Sequence, residues 1–154
     1  MMKTITGDLL DLAVEGRFDV IVHGCNCFCN MGAGIARLIK QRFPAAYAAD
    51  LATTKGDRGK LGTFSAAEVH TEGVSFVIVN AYTQYDWRGE GVKADYAAIR
   101  SVFAAVREQF AGRRVGYPLI GAGLARGDWT RIAAIIDAEM QGADHTLVTL
   151  PTAS

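Results

Sequence analysis

Several kinds of residue and pattern are scarce in this chain, and each scarcity excludes something. Cysteine occurs three times, an odd number crowded at Cys25, Cys27 and Cys29, which is no disulfide framework and suits a reducing compartment. Net charge is zero because 16 acidic residues offset 16 basic ones. No global field therefore draws the molecule to nucleic acid or to an anionic membrane, and only a local basic patch could do so. No apolar run is long enough to span a bilayer, and Met1 to Asp8 lacks the apolar core of a secretion signal. A cytoplasmic protein without membrane association is expected. Internal repeats and low-complexity segments are missing as well.

What is present is an ordinary globular composition. Half of the 154 residues are hydrophobic and 21% are charged, enough for one domain over residues 1–154 with a continuous core. Lys3–Thr6 reads as a short strand, followed by a brief helix at Leu9–Ala13 with Asp8 near its start. Phe18–His23 is a buried strand. A helix then runs to about Arg42, where Phe43-Pro44 interrupts it, and helix resumes over 45–54. Lys55 to Lys60 reads as a solvated, charged loop. Residues 62–70 and 74–84 form two strands joined at Thr71-Glu72-Gly73. The nearly uniform apolar run Val74 to Val79 predicts burial on both faces. Tyr96, Ile99, Val102, Phe103, Val106 and Phe110 recur at helical spacing. A strand to Ile120, a helix from about Asp128 and a strand over 145–150 complete the chain. This alternation predicts a three-layer α/β/α sandwich around a mixed, largely parallel sheet.

The chemistry gathers where strands meet glycine. Val20-Ile21-Val22 breaks at His23 and Asn26, reaches Gly32-Ala33-Gly34 and enters a helix at Ile35. A glycine-flanked helix start exposes unpaired N–H groups and a partial positive charge to an anion. A second strand, Val115 to Ile120, leads into Gly121-Ala122-Gly123-Leu124. Two such turns suit a ligand with two phosphates, or with a phosphate and a sugar. Neither is a nucleotide-triphosphate loop, since no Gly-Lys-Ser/Thr follows, and neither completes Gly-x-Gly-x-x-Gly, because Arg37 and Arg126 hold the third glycine's place.

Other residues allow two readings each. Asp8 serves as a helix cap or as an acceptor for an exocyclic amine. Asn26 donates to a sugar hydroxyl or bridges the loop backbone. His23 is a satisfied structural histidine or a proton carrier beside an anion. The cysteines lack metal-binding spacing and read as small packing residues, so neither a metal nor a cofactor is expected. Tyr85 to Val92, rich in glycine, charge and aromatics, is a flap beside a site or a plain surface loop. His70 and His145 read as surface turns.

Taken together, Gly7-Asp8-Leu9, Val22-His23-Gly24-Cys25-Asn26 with Gly32 to Ala36, Asn80 to Gln84, and Pro118 to Trp129 resemble the macrodomain, an ADP-ribose-binding α/β module, across nearly the whole chain. The branch most resembled contains ADP-ribose 1″-phosphate phosphatases and terminal ADP-ribose-protein hydrolases. The resemblance implies that Asp8 and Leu9 receive adenine. It implies that Gly32, Ala33, Gly34, Ile35, Gly121, Ala122, Gly123 and Leu124 clasp the diphosphate, and that Asn26 meets the distal ribose. His23 stands where many macrodomains have Asn and the yeast-type phosphatases have His. Ala125 replaces the catalytic Asp of the protein-deacylating relatives, and Thr83 and Gln84 lie near the place of their Lys.

The leading expectation from this resemblance is metal-independent hydrolysis of ADP-ribose 1″-phosphate by His23, Asn26 and Asp128, with Asp86 or Asp128 assisting the imidazole. A reader that binds ADP-ribose without turnover is the rival. Removal of ADP-ribose from a protein or a nucleic acid stands third. ADP-ribose or its 1″-phosphate is the expected partner; membranes and nucleic acid are disfavoured, and no protein partner is identified.

Overall fold

The computed structural model describes residues 2–151. Along them run six strands, β1 (Lys3–Thr6), β2 (Val20–Cys25), β3 (Phe64–Thr71), β4 (Val74–Tyr82), β5 (Val115–Tyr117) and β6 (His145–Thr149). The helices are α1 (Leu9–Val14), α2 (Gly34–Arg42), α3 (Pro44–Leu51), α4 (Tyr96–Gln109) and α5 (Trp129–Glu139), with a 3-10 turn at Arg58–Lys60.

Alternation within the apolar strands decides the layering. In β2, Val20 and Val22 enter one core with Ile99, Phe103, Ile132 and Ile136 of α4 and α5, while Ile21 enters a second with Leu10, Ile39 and Ala46 of α1 to α3. β4 divides in the same way, with Val77 and Val79 on one side and Phe76 and Ile78 on the other. A sheet that buries both faces needs helices on both. The expected three layers follow, and the strand order is β1-β6-β5-β2-β4-β3. Every pairing is parallel except β3 with β4. Phe103 meets Tyr117 edge to face at 5.6 Å across the first core. Burying a side chain of this size contributes about 2–3 kcal/mol.

Helix boundaries follow local chemistry. Asp8, Asp95 and Asp128 cap α1, α4 and α5 through side-chain oxygens that accept first-turn N–H groups. Phe43 leaves the helical region before Pro44, which separates α2 from α3. The β3–β4 turn puts Glu72 and Gly73 at φ 51° and 78°, the left-handed pair that a tight hairpin demands.

Three readings need correction. Lys60 does not belong to a solvated charge loop: it is 6% exposed, and the 3-10 turn delivers its side chain inward. His145 is no surface residue, being 3% exposed at the start of β6, with Nδ1 2.6 Å from the Tyr117 hydroxyl. The strand expected to reach Ile120 ends at Tyr117, because Pro118 cannot donate to a ladder.

Candidate functional site

Five strands run in one direction, so their C-terminal ends share one edge of the sheet. Asp8 follows β1, Asn26 follows β2, Thr83 follows β4, Pro118 follows β5 and Leu150 follows β6. Segments separated by more than a hundred residues of sequence thereby face the same side, the usual place for a ligand crevice in an α/β sheet.

At the β1–β6 end of that edge lies a cavity of about 460 Å³, within the range of small-molecule sites. Leu9, Leu10, Ile35, Leu38, Val148 and Leu150 make its walls apolar, and Asp8 and Arg37 are its charged residues. Oδ1 of Asp8 accepts the N–H groups of Leu10 and Asp11, both at 3.0 Å. The second carboxylate oxygen makes no hydrogen bond among the described residues, so the cap reading is seen and the cap leaves that oxygen unengaged. Another hollow of about 460 Å³ lies at the opposite end of the sheet, beside Arg42, Glu68 and His70, and holds none of the expected site residues.

The two glycine turns adjoin this cavity and each other. Gly34 and Ile35 line it from the start of α2, and Pro118 lines it from the approach to the second turn. A methyl group on Gly34 would lie 3.4 Å from Leu124 Cδ1. Gly34 takes φ 58° and Gly121 takes φ 74°, left-handed values that a side chain would strain. Among the described residues no side chain caps α2, in contrast to α1, α4 and α5. Its first amides are open to an anion, and Gly32, Ala33, Gly34, Gly123 and Leu124 are all exposed around them. Ala122 is half-buried beside them. Gly127 closes the second turn from behind: its N–H donates to the Gly121 carbonyl at 2.6 Å, and a Cβ there would come within 2.5 Å of that oxygen.

The residues expected to carry a reaction are arranged otherwise. His23 is 1% exposed. Its Nε2 lies 2.7 Å from Oδ1 of Asn80, whose amide nitrogen donates to the Ala46 carbonyl and to Ser65 Oγ. That pattern leaves Oδ1 as acceptor and makes Nε2 the proton-bearing nitrogen. Burial depresses the His23 pKa to about 4, with the Asn80 hydrogen bond opposing. The imidazole is neutral near pH 7 and sits beneath α3 rather than in the cavity wall. Asn26 bridges its own loop, with Nδ2 donating to the Asn30 carbonyl and Oδ1 accepting the Phe28 N–H, both at 2.9 Å. Asp128 is exposed and caps α5 through Oδ1. Asp86 is held by a two-point contact with Arg88, which lowers its pKa to about 2. Cys25, Cys27 and Cys29 are free and buried.

Leu38, Arg37, Val148 and Leu150 were missed as cavity residues. Leu38 follows Ile35 by three positions, a spacing that puts both on one helix face. Nothing local in the sequence brings the last strand beside Asp8.

Comparison with known proteins agrees with this fold. The Macro domain family model matches residues 22–136. An uncharacterized 17.5 kDa protein of enterobacteria phage T4, from the tk-vs intergenic region, is 34% identical over 142 residues, which is 89% of this chain and 88% of that protein. An ADP-ribose 1″-phosphate phosphatase of Aspergillus oryzae is 48% identical over 46 residues, 30% of this chain and only 21% of the phosphatase. Among solved structures, the macrodomain of Mycobacterium tuberculosis DarG superposes with TM-score 0.76 at 22% identity, covering 99% of both chains. Thermosipho africanus DarTG in complex with ADP-ribose superposes with TM-score 0.70 at 15% identity, covering 98% of this chain and 42% of that one. At these identities the structural likeness speaks for the fold.

Proposed function

The chain belongs to the Macro domain family, and from that premise we propose that its cleft binds ADP-ribose. The observation that carries this reading is the meeting of the two glycine turns, Gly34 against Leu124, over the uncapped start of α2. The amides of Ala33 to Ile35 and of Gly121, Gly123 and Leu124 receive the pyrophosphate, whose charge the helix terminus favours, while the Gly32 and Ala122 amides are already bonded to Asn30 Oδ1 and to the Leu119 carbonyl. Adenine enters the apolar cavity between Leu9, Ile35 and Val148. There the unbonded carboxylate oxygen of Asp8 accepts its exocyclic amine. The terminal ribose then extends toward the loop that Asn26 ties together, since β2 lies on the far side of β5 from β6 and β1.

A finer reading, release of phosphate from ADP-ribose 1″-phosphate, is supported by the segment similar to the Aspergillus oryzae phosphatase. Binding without turnover is favoured by a different observation. The imidazole of His23 is enclosed, and Asp86 and Asp128 are already engaged by Arg88 and by the Thr130 N–H of α5.

Calorimetric titration with ADP-ribose tests the shared claim. Saturable 1:1 binding is expected, weakened by Asp8→Ala, which also removes a helix cap at a cost of about 1 kcal/mol in stability. No heat of binding at millimolar ligand would overturn the reading. A phosphate-release assay on the 1″-phosphate then separates the two finer readings: turnover supports the hydrolase, and tight binding without release supports the reader.

A further inference from the structure

The buried Lys60 has no part in the site described so far, yet its side chain ends directly under it. An interior lysine costs stability unless its donors are satisfied. Nζ donates to the Cys27 carbonyl at 3.1 Å and to Cys29 Sγ at 3.7 Å, and lies 4.6 Å from the centre of the Tyr82 ring. Two of these three contacts fall on the loop between Asn26 and the first glycine turn.

That loop contains a conformation needing support. Cys29 takes φ 54°, in the left-handed region that residues with a side chain seldom adopt. Its thiol donates to the Asp50 carbonyl at 3.3 Å, and its own carbonyl accepts the Tyr47 hydroxyl at 3.4 Å. Asp50, fully buried, accepts the Tyr82 hydroxyl at 2.7 Å. One residue past Cys29, Asn30 Oδ1 accepts the N–H of Gly32; Met31 between them is buried in the core, and Gly32 to Gly34 are exposed. The bend at Cys29 therefore aims the glycine turn, and Lys60 holds that bend from below.

We propose that Lys60 is a positioning residue. By fixing Cys27 and Cys29 it shapes the Asn26 to Ala33 segment, and so sets the affinity for the part of the ligand from the pyrophosphate outward, leaving the adenine cavity alone. The inference rests on the ADP-ribose reading. A merely structural lysine would affect all ligands together through folding, whereas a positioning lysine changes their ratio.

The test compares calorimetric affinities for ADP-ribose and for AMP, which leaves the outer half of the cleft empty, in the wild type, Lys60→Met and Lys60→Arg. Urea unfolding identifies the folded variants. Lys60→Met is expected to weaken ADP-ribose on the order of tenfold, the scale of a displaced supporting shell, with AMP unchanged. Lys60→Arg, which keeps donors, should recover part of the loss. Should Lys60→Met fail to fold, Lys60→Gln, which keeps a donor but is too short to reach the Cys27 carbonyl in the same way, should give the same selective loss. An unchanged ADP-ribose to AMP ratio in the folded variants overturns the proposal while the binding reading stands. A wild type that binds neither ligand overturns both.

Discussion

His23 exerts its influence from the interior. Its pKa is held at about 4 by burial, against an ordinary value of 6.5, so the unfolded chain takes up a proton before the folded one does. The stability that neutral His23 supports is fully present above about pH 6.5 and is lost as pH falls toward 4, by about 3 kcal/mol for a shift of this size. His145, also lowered by burial, adds in the same direction. Urea midpoints measured from pH 7 to pH 4 should fall in the wild type and fall less in His23→Gln. Equal slopes would show that His23 titrates alike in both states. Its position after Val20-Ile21-Val22 marked it as special in the sequence, but which face of β2 it occupies depends on register with Asn80 across β4. The cap formed by Asp8 was more legible, because a carboxylate just after a short strand and before an apolar helical run is the ordinary signal of a helix start.

At the level of elements, the second turn is held by a backbone approach that only glycine permits. Gly127→Ala would drive a methyl group against the Gly121 carbonyl, with Ile132 Cδ1 2.8 Å and Ala94 Cβ 3.0 Å away on the other sides. Overpacking of this kind costs about 1–3 kcal/mol. It should also widen the turn, so a lowered melting temperature together with a weakened ADP-ribose affinity is expected. By contrast, Gly123→Ala has open space around the new methyl and should melt like the wild type. Circular dichroism melts of the two variants check the contrast. The turn itself was readable from Gly121-Ala122-Gly123-Leu124 following a β-prone run. The need for Gly127 was not, because it arises from α5 and Ala94 closing behind the loop. Lys60 was misread for a related reason: within Lys55-Gly56-Asp57-Arg58-Gly59-Lys60 nothing distinguishes the one lysine that a 3-10 turn swings inward.

For the whole molecule, the layer order was legible because β2 and β4 are apolar on both faces, which allows few other folds. The strand order was not, since it brings the beginning of the chain beside its end. Ligand binding should stabilise this arrangement by mass action. At a hundredfold excess over Kd, ADP-ribose should add about 2.7 kcal/mol, which corresponds to roughly 5–10 °C in melting temperature for a chain of this size. A thermal shift that saturates with ADP-ribose and is absent with free ribose meets this expectation; no shift with either would count against the cleft.

The outermost strand gives this coupling a local signature. β1 is exposed along its length and, among the described residues, hydrogen-bonds to the sheet through β6 alone. Asp8 just beyond β1, and Val148 and Leu150 at the end of β6, all border the apolar cavity. A purine lodged there would act as a clasp between the first and last strands, suppressing the fraying to which an edge is prone. Deuterium uptake at the β1 amides should therefore slow on ligand addition more than uptake at the β3–β4 hairpin tip, which lies at the opposite edge of the sheet.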